Sequence, residues 1–174
     1  VAMFQGATSF NNGGSVDIDN WDVSSVTKFG VNFSGMFRFA TAFNQYIGSW
    51  QLTSTQKLDA MFESTNYNQD LTNWNTSNVT SMTRMFRSND SFNQDISGWD
   101  INQVTAFSQF LFQGDGLSTT NYDLILVGWE AQAPIYSGAI DFGTSTYTLG
   151  SAAETARTSL ISTYGWTITD GGGI

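Results

Sequence analysis

Asp70 and Asp95 hold the same place in two copies of one phrase, Asn68-Gln69-Asp70-Leu71 and Asn93-Gln94-Asp95-Ile96. If neighbouring copies stack at the inter-strand spacing of about 4.8 Å, the two carboxylates fall near the roughly 5–5.5 Å separation of a retaining glycosidase. The competing account is that each aspartate closes its own turn through backbone N–H groups. That account is the stronger, because repetition alone produces the ladder. No other catalytic constellation is available. The chain has no His and no Cys, which removes His-based triads, thiol nucleophiles and His-ligated zinc. The expectation is a protein without catalytic residues.

A second cluster could hold a cation. Asp17, Asp19 and Asp22 alternate beside the glycine-rich insertion Asn12-Gly13-Gly14-Ser15, and calcium takes six to eight oxygens, chiefly carboxylate and carbonyl. The run lacks the glycine and terminal glutamate of an EF-hand loop. Solvated turn carboxylates are the alternative, and a structural calcium is the one cofactor these residues suggest. The paired amides at 44–45, 68–69 and 93–94 could meet sugar hydroxyls or satisfy turn backbone. The asparagines fit the internal role better, and the glutamines fit either. Gln69, Asp70, Gln94 and Asp95 form the first candidate contact rim. Thr27, Thr80 and Thr105 suggest an ice-binding array, but Gln56 breaks the column.

Those residues are positioned by a repeat. Taking Trp21, Trp50, Trp74 and Trp99 as origin, Ile18, Ile47, Leu71 and Ile96 stand three before, and Phe29, Leu58, Met82 and Phe107 eight after. Apolar pairs follow at Met36-Phe37, Met61-Phe62, Met85-Phe86 and Phe110-Leu111, and an aromatic opens the next copy at Phe43, Tyr67 and Phe92. A fixed period of this size predicts stacked units that bury apolar columns only against their neighbours. The tryptophans are therefore core and not sugar platforms. The expected fold is a repeat solenoid of about five coils over 1–117, with a short strand near Ile-x-x-Trp and a short helical turn ending at Met-Phe. The first coil carries insertions, the second around Gly30-Val31-Asn32-Phe33.

From about Ser118 the pattern stops. Asn121–Glu130 reads as a helix, 139–142 and 145–149 as a hairpin, and Ser151-Ala152-Ala153-Glu154 as a capping box opening a second helix. Residues 118–170 are expected to form an α/β cap covering the last coil, with Leu124, Ile125, Leu126 and Trp129 as covering residues. Residues 171–174 read as the start of a linker.

The chain carries 15 acidic and 6 basic residues in 174, for a net charge of −9. Such a surface disfavours nucleic acid, whose phosphates need Lys and Arg clusters. No apolar run reaches the ~18 residues of a membrane span. Charged residues are 12% and aromatics 15%, unlike a disordered chain. The opening residues fall inside a repeat, so the expectation is a part of a longer chain.

The phrase Phe92-Asn93-Gln94-Asp95-Ile96-Ser97-Gly98-Trp99-Asp100, with Val-Thr and Met-Phe at their fixed places in the other copies, resembles the surface-protein repeat of the BspA-like leucine-rich-repeat bacterial proteins. The likeness covers roughly 1–117, and the segment from Leu117 to Gly172 is similar to the cap that follows those repeats. Thr55 stands where the repeat usually has Val, and Gln51 where it usually has Asp. The resemblance implies a leucine-rich-repeat-like solenoid and export to the bacterial cell surface. It also implies adhesion, protein binding or spacing within a larger secreted protein, without catalysis. The alternative is a glycan-binding module attached to an adhesin or a carbohydrate-active enzyme. The implied partner is a protein or glycan at a cell surface.

Overall fold

The structure is a computed structural model that describes residues 2–174. Its regular elements are few. Strands β1 (Lys28–Val31), β2 (Ser34–Gly35) and β3 (Lys57–Leu58) form one small sheet in the order β2-β1-β3. Helix α1 (Thr119–Glu130) follows, then β4 (Ala139–Asp141), β5 (Thr146–Tyr147), α2 (Ala152–Ser162), β6 (Thr167–Thr169) and β7 (Gly172–Gly173). Two short 3₁₀ turns span Asn12–Gly14 and Val16–Asn20.

This corrects the expected leucine-rich-repeat-like solenoid. The described residues hold two α-helices, both beyond residue 118, and short strands in three small sheets. No strand and helical turn recur in each copy of the repeat. The strand pairing also lies elsewhere than expected. It runs through Lys28, Lys57, Ser81 and Ala106, not through the Ile-x-x-Trp stretch, which in the first copy is a 3₁₀ turn.

The physical reason is in the backbone. Ala60, Ser64, Arg84, Ser88, Gln109 and Gln113 all have positive φ, between 51° and 61°. Each therefore bends the chain where a strand would extend it. Alternate N–H groups then divide their bonds. Leu58, Ala60, Phe62 and Ser64 donate to the carbonyls of Ser81, Thr83, Met85 and Arg87 at 2.8–3.0 Å, while Met61 and Glu63 donate back to Leu58 and Ala60 at 3.2–3.3 Å. Met82, Arg84, Phe86 and Ser88 repeat the pattern toward Ala106, Ser108, Phe110 and Phe112. The result is a stack of turns in which the N–H groups of 58–64 and 82–88 that point to the next copy are satisfied there, as buried backbone requires.

Inside the turns lies one continuous apolar core, from Ile18 to Trp166. Trp50, Trp74 and Trp99 are buried, and each donates its indole N–H to a carbonyl of the preceding copy: Ile18, Ile47 and Leu71, at 2.8–3.0 Å. Phe37 stacks on Phe43, Phe62 on Tyr67, and Phe86 on Phe92, with ring centroids 3.7–4.1 Å apart. A second spine is polar. The Asn11, Asn44, Asn68 and Asn93 side-chain oxygens accept the backbone N–H of Asn44, Asn68, Asn93 and Ser118 in turn, at 2.8–3.3 Å.

Helix α1 meets the last copy with the same chemistry. Trp129 donates its indole N–H to the Ile96 carbonyl at 3.1 Å, so a helical residue continues the tryptophan series. Gly128 is needed there, because a Cβ would sit 2.7 Å from the Ser97 carbonyl oxygen. Ile125, Leu126 and Trp129 are buried as expected of covering residues, whereas Leu124 is 45% exposed. Ser118 caps α1 through Asn121 N–H, and Ser151 caps α2 through Ala153 N–H, while Glu154 reaches back to Gly150 N–H at 2.7 Å. Where a hairpin was expected, β4 pairs in parallel with β6 and β5 in parallel with β7. Gly172–Gly173 thus lie in a strand. Leu111 N–H donates to the Asp141 carbonyl, which ties the last copy to β4.

Candidate functional site

The rim suggested by the sequence is used internally. Asp70 Oδ1 accepts Thr72 N–H at 2.8 Å and its hydroxyl at 2.6 Å. The hydroxyl, then the N–H, hold the Asp70 carboxyl below the usual carboxylate range. Asp95 Oδ1 accepts Ser97 N–H at 2.9 Å, and the Asp95 carbonyl accepts the Thr72 hydroxyl. Gln94 donates to the Asn68 side-chain oxygen at 2.7 Å and the Asn68 carbonyl at 3.0 Å. Gln69 is half-buried. These contacts close turns and tie one copy to the next. Oδ1 of Asp70 and of Asp95 is thereby engaged in closing its own turn.

Two of the calcium candidates, Asp19 and Asp22, are likewise engaged in contacts within the protein. Among the described residues no group of three or more His, Cys, Asp or Glu side chains is placed to hold a metal. Asp17 lies in the first turn of the 3₁₀ segment. Asp19 Oδ1 accepts Ser49 N–H at 3.0 Å, and Asp22 Oδ1 accepts the N–H and hydroxyl of Ser24. Asp19 and Asp22 thus each have one carboxylate oxygen engaged with a different partner. Thr80 and Thr105 likewise donate their hydroxyls to the Gln56 and Thr80 carbonyls, which consumes the hydroxyl row. No helix among the described residues is long and apolar enough to cross a membrane.

The positive charge is concentrated in three segments. Lys28, Arg38, Lys57, Arg84 and Arg87 are five of the six basic residues, and all sit on the stacked turns at 28–39, 57–64 and 81–88. Those segments contain only two acidic residues, Asp59 and Glu63, both buried. Glu63 is held between two cations, accepting Arg38 at 3.0 and 3.2 Å and Arg87 at 2.9 Å. Lys28, Lys57 and Arg84 make no ion pair among the described residues. Aromatic rings are laid beside the guanidinium groups: Arg84 over Phe33 at 4.1 Å, Arg38 over Phe39 at 4.2 Å, and Arg87 over Phe112 at 5.5 Å. Phe33 and Phe39 are exposed.

A cleft of about 400 Å³ opens in this face, lined by Asn32, Phe33, Lys57, Asp59, Ser81, Thr83 and Ala106. The insertion after β1 supplies its wall. Gly30 allows the approach, since a Cβ there would overlap the Asp59 carbonyl. The Asp59 carboxylate forms the floor, only 3% exposed. It accepts Asn32 N–H at 3.3 Å, Thr83 N–H at 3.1 Å and the Ser81 hydroxyl. Burying a carboxylate is unfavourable unless its lone pairs are met, and these three donors meet them. Arg84 is fixed from the other side by its Nε bond to Gln109 Oε1 at 2.7 Å. The arrangement has a fixed acceptor floor, a hydroxyl, an ammonium group and an exposed ring.

Sequence reasoning missed this cleft. Its one visible signal was Asp59 itself. An acidic residue there interrupts a column otherwise filled by Thr83 and Ser108, and it lies opposite the Gly30–Phe33 insertion.

The chain belongs to the family described as "Mycoplasma protein of unknown function, DUF285", which matches residues 1–77 and 31–132. No curated protein and no solved structure matches the chain.

Proposed function

We propose that this chain is a non-catalytic binding module of an exported protein, and that it meets an anionic partner at a cell surface through the cationic, aromatic face of its stacked turns. The observation that carries this reading is the charge segregation: five of the six cations fall in the three segments 28–39, 57–64 and 81–88 of a chain with net charge −9. At physiological salt the screening length is about 8 Å, so a partner at this face responds to local and not overall charge. Arg84, packed over Phe33 and fixed through Nε by Gln109, is pre-organised for carboxylate recognition. The likeness of the repeat to that of BspA-like surface proteins supports a place outside the cell. In this reading residues 118–170 serve as the cover of the last copy, which the Trp129 and Ser118 bonds support.

The test is retention on immobilised polyanions. The purified protein should be held on polygalacturonate or polyglutamate resin, released by salt, and pass through an uncharged polysaccharide resin. Flow through all three resins at low salt would refute the reading.

A further inference from the structure

We infer that the cleft beside β3 is a subsite for one carboxylated sugar of an acidic polysaccharide. The inference rests on the binding reading above and specifies the ligand for the cleft in that face. A cleft of about 400 Å³ lies at the small end of the roughly 300–1,000 Å³ range of ligand sites, suited to a single sugar ring and part of its neighbour.

Three features of the lining select the class. Phe33 is 57% exposed, yet its position is fixed by the Arg84 guanidinium packed on it at 4.1 Å. A held but uncovered ring is the surface against which the apolar face of a sugar stacks, and an acidic peptide has less need of it. Ser81 and Thr83 line the floor with two hydroxyls whose oxygens can accept from vicinal ring hydroxyls, over an Asp59 carboxylate whose own lone pairs are met within the protein. Asp59 is anchored by backbone donors from two separate segments, Asn32 and Thr83, so its direction is preset before any ligand arrives. Lys57 lies within the cleft without an ion partner, and it faces Lys28 across the parallel pairing of β1 and β3. That places an uncommitted ammonium group beside the hydroxyl-binding floor, where a sugar carboxylate would be met. A neutral sugar leaves this charge unmatched. A simple polyanion such as polyglutamate uses the charge but not the ring or the floor.

The experiment is a titration of the ¹⁵N-labelled protein with trigalacturonate, a glucuronate-containing tetrasaccharide and sialyllactose, beside neutral cellotriose and a glutamate-rich peptide. At least one carboxylated sugar should produce saturable shifts at the amides of Asn32, Phe33, Lys57, Asp59, Ser81 and Thr83. Phe33→Ala and Lys57→Met should each weaken that sugar at least tenfold while the spectrum elsewhere stays native. Cellotriose should bind at least tenfold more weakly than the acidic sugar. The inference is overturned if none of the three acidic sugars shifts the cleft amides, or if Phe33→Ala leaves affinity unchanged. Peptide binding on the cationic face with a silent cleft would overturn the sugar subsite yet leave the binding reading standing. Loss of all polyanion binding would remove both.

Discussion

Replacing Trp74 by alanine tests whether the tryptophan series is the structural spine. Trp74 is 3% exposed, stacks on Trp99 with centroids 6.1 Å apart, and donates to the Ile47 carbonyl at 2.9 Å. Truncating a buried aromatic costs about 3–5 kcal/mol through lost transfer energy and the cavity left behind. A share of that is separable. Trp74→Phe keeps most of the ring but orphans the Ile47 carbonyl, at a cost of about 1–3 kcal/mol. Trp21 supplies an internal control, since it holds the same sequence position but is 39% exposed and stands at the end of the stack. Its truncation should cost clearly less, roughly 1–2 kcal/mol, because only about three-fifths of the side chain is withdrawn from water and no enclosed cavity is left. Urea melts followed by far-UV circular dichroism give the three differences, with an unchanged m-value licensing the comparison. The reasoning fails if Trp74→Ala costs under about 1 kcal/mol, or if Trp21→Ala costs as much as Trp74→Ala.

Three further outcomes follow from the same contacts. Asn68→Ala leaves the Asn93 N–H and the Gln94 amide without their acceptor, so it should cost about 1–3 kcal/mol in a denaturant melt, against a few tenths for exposed Asn73→Ala. The Asp70 carboxyl is lowered in the folded protein, chiefly by the Thr72 hydroxyl. Its contribution is therefore present above the unfolded carboxylate value near about 4 and is lost as pH falls through the folded one. Thr72→Val should be less stable than the parent by a constant margin above pH ~5, and the margin should narrow below pH ~4; a margin that widens in acid would contradict this. Because Asp19 and Asp22 are committed to Ser49 and Ser24, excess calcium and excess chelator should give the same melting temperature. A rise of several degrees with calcium would show a site that these contacts do not reveal.

The columns were readable from sequence because they depend on side-chain type alone. Ile47, Leu71, Trp74 and Trp99 are buried as their spacing required. The backbone between them was not readable. Ala60, Arg84 and Gln109 adopt positive φ, and none is a residue type that advertises a left-handed turn. A strand and a helical turn were therefore expected where the chain makes successive turns. The end of the stack was half legible. Its covering residues could be guessed, but Trp129 completes the tryptophan–carbonyl series from within a helix, 30 residues after Trp99 and outside any repeat register. The candidate site was hidden for a related reason. Asp59 draws its donors from Asn32, Ser81 and Thr83, residues 22–27 positions away in two other copies, so nothing near it in sequence signals its burial. Asp70 and Asp95 stood out because repetition made them conspicuous, and repetition is also why they serve turns.

The central claim is that one face, and not overall charge, directs binding. It is tested by two variants that change net charge equally. Lys57→Gln with Arg84→Gln removes two cations from the face. Asn73→Asp with Gln103→Glu adds two anions at exposed positions outside it. Affinity for polygalacturonate, measured by calorimetry at fixed salt, should fall at least tenfold in the first variant and less than about twofold in the second. Equal losses in both would contradict the account.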